Sequence, residues 1–185
     1  MKLLTNTFLL FALLASISCS RPKPQQNAPE QTTFCDDSSR VRGLKPTALP
    51  PVVLTKVMNT AEGREAQTLA KSKGTQTDPA QLFKGQQVSL SDSGGAYFVV
   101  MASHSITGSD HAWFWMVRHD HPKEIDRARI VLFAGGTCLS LDANKTSGYR
   151  DVVMTWPSSA ETITNTYVFN GTEYKIRKTS SHPNR

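Results

Sequence analysis

Most signatures that announce a chemistry are missing from this chain. It has no glycine-rich phosphate loop, no dinucleotide fingerprint and no paired-cysteine zinc motif, so nucleotide-driven and zinc-ribbon functions have no support and no cofactor is expected. Its 21 lysines and arginines form no block and do not interleave with aromatics, the pattern nucleic acid would ask for, so no nucleic-acid partner is expected. The net charge of +6 then reads as a mildly basic, solvated surface. Beyond the first residues, no apolar run approaches the roughly 20 residues that a membrane-spanning helix requires. Cysteine is scarce too, with Cys19, Cys35 and Cys138 making the whole set of three.

What is present begins at the N-terminus. Lys2 precedes the polar Thr5-Asn6-Thr7 and the apolar run Phe8 to Ala15, the two parts of an export signal. Even counted from Leu3 to Ile17, the stretch is too short to span a bilayer, which favours cleavage over retention. Ser16 and Ser18 flank Ile17 and place the cut before Cys19, because a peptidase admits only short side chains beside the scissile bond. Ser16-Ile17-Ser18-Cys19 resembles a bacterial lipobox, in which the cysteine thiol is acylated, palmitate being one such chain, and becomes the new N-terminus. Lipoboxes usually carry leucine where this chain has Ser16, so plain secretion by cleavage at the same bond stays open. The resemblance implies a signal peptide over residues 1–18 and an exported bacterial envelope lipoprotein held at the membrane through a lipid on Cys19. The alternative is a secreted soluble protein. With Cys19 acylated, Cys35 and Cys138 are left to pair in an oxidising compartment; otherwise Cys138 is a buried strand residue and Cys35 a free thiol.

Composition divides the remainder into a tether over residues 19–46, rich in Pro, Gln and Ser, and a single globular β-rich domain over residues 47–185. Pro50-Pro51 opens a helical region through Val52 to Met58, and Thr60 or Asn59 caps a second helix running toward Gly74, with Gly63 as its weak point. Asp78 to Phe83 adds a short turn of helix. From Gln86 onward, strands are expected near 86–91, 96–102, 112–118, 128–134, 137–142, 150–156, 162–169 and 173–178. Asn170-Gly171 and Gly135-Gly136 read as tight hairpin returns. Runs such as Tyr97 to Met101, Trp113 to Val117 and Ile130 to Phe133 are apolar on both faces and need cover on both sides. Leu139 and Leu141, and likewise Tyr174 and Ile176, alternate with polar residues and are expected to turn one face to water. The expected fold is α+β: N-terminal helices packed on a mainly antiparallel meander of about eight strands, or a partly closed barrel.

Four clusters invite a chemical reading. Ser91-Asp92-Ser93-Gly94-Gly95 is similar to the nucleophile segment of chymotrypsin-like proteases, but the first histidine of the chain, His104, follows it, the reverse of that family's order; a turn is expected instead. His119 and His121, two apart on a strand, could share a metal ion if a third ligand converged. Asp142 to Asp151 resembles the calcium loop of FG-GAP repeats, which implies Asp142, Asn144 and Asp151 as ligands. Trp113 and Trp115 share one strand face and form either core or a platform for stacking on sugars.

The leading expectation is therefore a tethered binding module, directed at a protein partner such as an envelope hydrolase or at a cell-wall component. Two alternatives are a periplasmic or secreted hydrolase using the His104 to His121 region, and a structural envelope component.

Overall fold

A computed structural model describes residues 32–36, 48–74, 78–92, 94–108, 110–120 and 127–184. The signal segment, Cys19, Ser93 and His121 lie outside the described residues. In chain order the elements are β1 (Thr32–Cys35), α1 (Pro51–Met58), α2 (Ala61–Ser72), α3 (Pro79–Leu82), β2 (Lys84–Val88), β3 (Ala96–Ala102), α4 (His104–Thr107), β4 (Ala112–His119), β5 (Ala128–Gly136), β6 (Cys138–Thr146), β7 (Tyr149–Pro157), β8 (Glu161–Phe169) and β9 (Tyr174–Pro183). The strands pair antiparallel in two sheets, one of order β1-β6-β7-β8-β9 and one of order β2-β3-β4-β5. Mostly antiparallel β structure with a few helices is as expected. Among the described residues the count is nine strands in two sheets rather than about eight in one meander, and no barrel closes.

Local chemistry explains the helices. Pro51 opens α1 where its missing amide costs nothing, and Val53 and Val57, one turn apart, are fully buried. Thr60 caps α2 by accepting the Gly63 amide at 2.9 Å while its hydroxyl donates to the Val57 carbonyl at 2.8 Å. Gly63 weakens a helix in isolation, yet here a Cβ would sit 2.0 Å from the Val57 carbonyl oxygen. The α1–α2 corner requires glycine, and that requirement outweighs the roughly 1 kcal/mol of lost helix propensity.

Alternation along β3 and β4 builds two cores. Tyr97, Val99 and Met101 join Phe114 and Met116 between the two sheets, packed on Phe34, Leu139, Leu141, Val152 and Met154. Phe98, Val100 and Ala102 join Trp115 and Val117 on the other face, under Val53, Val57, Ala66, Ala70, Leu82 and Phe83 from the helices. The two-sided apolar runs thus find the cover they need: helices on one side, a second sheet on the other. The layers run helices, four-stranded sheet, five-stranded sheet.

Two expectations fail for physical reasons. Gly135-Gly136 is no hairpin: β5 pairs with β4, β6 pairs with β1 and β7, and the chain passes there from one sheet to the other. A Cβ on Gly136 would lie 2.4 Å from Met154 Sδ and 3.1 Å from the Thr155 carbonyl oxygen, so glycine allows the crossing to touch the neighbouring sheet. Thr32–Cys35, read as tether, is an edge strand, because Phe34 is fully buried and Cys35 is bonded to Cys138. The hairpin expected at Asn170-Gly171 forms between β8 and β9, its return a four-residue loop in which Asn170 Oδ1 accepts the amides of Thr172 and Glu173 at 3.0 Å each.

Candidate functional site

Cys35 and Cys138 stand directly opposite in the β1–β6 register, with Cα atoms 4.1 Å apart, and are joined by a disulfide. The adjacent amide of Asp36 donates to the Thr137 carbonyl at 2.9 Å, which makes the cysteines a non-hydrogen-bonded pair, the closer of the two kinds. Beyond the bridge, the Asp36 carboxylate accepts from the Ser103 hydroxyl at 2.8 Å and meets His104 Nδ1 at 2.8 Å. This resembles half of a catalytic triad, but its hydroxyls are otherwise engaged: Ser103 bonds Asp36, and Ser105 bonds Ser103 at 3.1 Å. The group caps α4 and pins the end of β1.

Among the described residues, His111 and His119 do not gather with His104. His111 lies at the start of β4, its ring packed where a Cβ on Gly135 would fall, and His119 ends the same strand, 3% exposed. At about 3.3 Å per residue the strand holds these two histidines roughly 26 Å apart, so they do not share a centre. Among the described residues no group of three or more His, Cys, Asp or Glu is placed to hold a metal ion.

The segment read as a calcium loop is a hairpin. Ser147 and Gly148 both have positive φ, 54° and 80°, and form the two-residue turn between Thr146 and Tyr149, so residues 142–146 extend as strand instead of wrapping an ion. The β6–β7 register shifts between Leu141 and Lys145, and a bulge there frees carbonyls from the ladder. Arg150, 5% exposed, supplies donors to them: Nη2 to Leu141 at 2.6 Å and Nε to Asp142 at 2.7 Å. Asp142 itself accepts the Asn144 amide at 3.1 Å, and Asp151 is buried at 8% exposure. Ser91-Asp92 and Gly94-Gly95 belong to the turn between β2 and β3, as expected, with Ser91 Oγ donating to the Gly94 carbonyl at 2.9 Å.

Trp115 is fully buried, edge-on to Phe83 at 5.7 Å, and Trp113 is half-buried beside it at 6.4 Å. They are core rather than an exposed platform. Their outer neighbour is Phe133, tilted over Trp115 at 5.3 Å and 38% exposed.

Phe133 leads to the surface that residue types alone did not mark. β5 is the edge of the four-stranded sheet and β9 the edge of the five-stranded one, and between them runs a groove of about 540 Å³ lined by Ile130, Phe133, Tyr167, Tyr174 and Ile176 among others. Ile176, expected to point inward like Tyr174, is 55% exposed because β9 runs past the cover of the smaller sheet. Where β5 meets β4, Val131 is an extra residue: Leu132 pairs with Met116 and Ile130 with Val117. That bulge puts Ile130 and Phe133, three apart, on one face, where a regular strand would oppose them.

Val131 lines both this groove and a second hollow of about 320 Å³, which is otherwise lined by Arg118, Asp120, Arg127, Arg129, Gly171 and Thr172. Arg118 and Arg129 are direct cross-strand partners, a like-charge pairing that costs stability. Asp120 relieves part of it, with both oxygens 2.7–2.8 Å from Arg118 Nε; this hydrogen bond raises the Arg118 pKa above its ordinary value. The Arg118 guanidinium also lies over the Tyr97 ring, 5.9 Å from its centroid. Tyr174 lines the groove and Tyr97 is buried beneath Arg118; burial pushes the pKa of both hydroxyls above the ordinary tyrosine value. Tyr174 donates to the Arg150 carbonyl at 2.9 Å, while Tyr97 stands edge-on to Tyr149, ring centroids 6.2 Å apart. The seam is thus an apolar ledge beside a cationic mouth, and among the described residues no pair of groups in it is placed as nucleophile and base.

Among the described residues no helix is long and apolar enough to cross a membrane. No protein-family model, curated protein or solved structure matches this chain.

Proposed function

We propose that this chain is an exported protein of the bacterial cell envelope, anchored through a lipid on Cys19, that works as a binding module for an envelope protein or a cell-wall component. The observation that carries the reading is the β5–β9 seam, where Phe133 and Ile176, the exposed large hydrophobics among the described residues, flank one groove. Apolar surface gathered in one place and rimmed by charge marks an interaction site rather than ordinary surface. The anchor has a geometric consequence. With β1 beginning at Thr32, the segment after Cys19 reaches at most roughly 40 Å, so the domain works close to the membrane.

The test is affinity capture from envelope extracts with the full chain, beside the variants Phe133→Lys and Ile176→Lys. A stoichiometric partner held by the parent and lost from both variants is the expected result. A partner held equally by all three, or none at all, would sink the reading. Intact mass reports the anchor separately: Cys19→Ala should lose the acyl mass and leave the membrane fraction.

A further inference from the structure

We propose that the ligand of the seam is an extended acidic peptide segment that adds as a strand to the free edge of β5, its apolar side chains over Phe133 and Ile176 and a carboxylate at Arg129. The inference rests on the binding-module reading and specifies its partner. Each of the four sheet edges has a different exposure to pairing. β1 is four residues long and locked by the Cys35–Cys138 bridge; β2 is short and polar, Lys-Gly-Gln-Gln-Val; β9 carries Lys175, Arg177 and Lys178. Short length and charge are the usual protections of an edge. β5 has neither from Ile130 to Gly136, seven consecutive residues without a charge or a proline, in a strand of nine. An edge strand left in that condition is a template for another strand.

Charge selects the partner. The Arg129 side chain, exposed at the mouth, makes no ion pair or hydrogen bond among the described residues, and the guanidinium opposite it is occupied by Asp120. The nearest acidic side chain on the facing hairpin, Glu173, is paired with Lys175 at 2.8 Å. A carboxylate from outside would meet a cation that no described acidic side chain answers, and would relieve the Arg118–Arg129 repulsion. The distance from Arg129 to Phe133, four residues at about 3.3 Å, is roughly 13 Å, so a segment of five or six residues spans ledge and mouth. A second copy of this chain is a poor occupant. Residues 128–136 hold no acid to offer Arg129, and two chains of net charge +6 repel.

The experiment selects random twelve-residue peptides, displayed on phage, against the full purified chain, with Arg129→Glu as counter-target. That variant should fold at least as well as the parent, because it replaces a like-charge cross-strand pair with an opposite one; thermal unfolding checks this. Expected are enriched sequences with Asp or Glu four or five residues from an apolar pair, about tenfold weaker binding to Arg129→Glu, weakening by salt, and slowed amide exchange at Ile130 to Phe133. No enrichment, enrichment without acidic residues, equal binding to both proteins, or protection away from β5 would overturn the proposal. Concentration-dependent dimers protected at β5 without peptide would overturn it in favour of self-pairing. Should peptides fail while an envelope partner is still lost from Phe133→Lys and Ile176→Lys, the binding module stands and its strand-adding ligand does not.

Discussion

The two sheets end very differently at β1 and β5. β1 is a four-residue strand whose one large apolar side chain, Phe34, is fully buried, whose last residue is covalently tied to β6, and whose exit is held by Asp36 on Ser103 and His104. β5 is more than twice as long, largely uncharged, and leaves Phe133 partly in water beside a groove. Stability and exposure have thus been separated. The edge that needs strengthening is fixed by covalent and buried contacts, and the edge with strength to spare stays open.

The contrast can be broken experimentally, and the largest effect lies on the β1 side. Replacing Cys35 and Cys138 by Ser should lower unfolding free energy by about 4 to 5 kcal/mol, since the bridge closes a loop of 103 residues. Denaturant unfolding reads the loss, and amide exchange should rise in β1 with little change in β5. Equal loosening of both edges would show that the bridge supports the whole molecule rather than one strand. Phe34→Ala should cost about 3 to 5 kcal/mol, the usual range for emptying a buried aromatic site, and should bring that loosening with the disulfide intact.

Effects on the open side are smaller. Tyr174→Phe removes the bond to the Arg150 carbonyl and should cost about 1 kcal/mol at neutral pH. The same variant should alter the alkaline limb. Burial raises the Tyr174 pKa in the fold, so its neutral form contributes stability that is complete below the ordinary value of about 10 and is lost as pH rises beyond it. Without that hydroxyl the fall in stability above pH 10 should be shallower, as measured by thermal unfolding across pH. Ile176→Lys, at a site 55% exposed, should change stability by no more than about 0.5 kcal/mol while abolishing capture of the partner. A large stability loss there would mean the ledge is core after all.

Much of the frame was legible from pattern alone. The two-sided apolar runs at Tyr97 to Met101 and Trp113 to Val117 announced central strands needing two covers, and Pro51 and Thr60 announced helix starts. What escaped depends on partners distant in sequence. β1 carries one phenylalanine in a polar stretch and becomes a strand only because β6 and Cys138 receive it. α4 is four residues long, too short for any periodicity, and exists through the Ser103 cap and Gly108 at φ 70°. Gly135-Gly136 has the composition of a turn, but which sheet the next strand joins is decided by packing against Met154. The seam was invisible for the same reason. Ile130 to Phe133 reads as a fully buried strand, and only the order β2-β3-β4-β5 leaves it at an edge.

The bridge at the end of β1 also sets how the domain bears mechanical load. Tension arriving from upstream of Thr32 peels β1 from β6 one residue at a time, from Thr32 opposite Leu141 toward Cys35 opposite Cys138. At Cys35 peeling stops, and the force passes through a covalent bond into β6, a strand paired on both sides. The oxidised domain can hang from its N-terminal segment without unravelling, whereas in the reduced protein the same pull runs on past Asp36 toward α1.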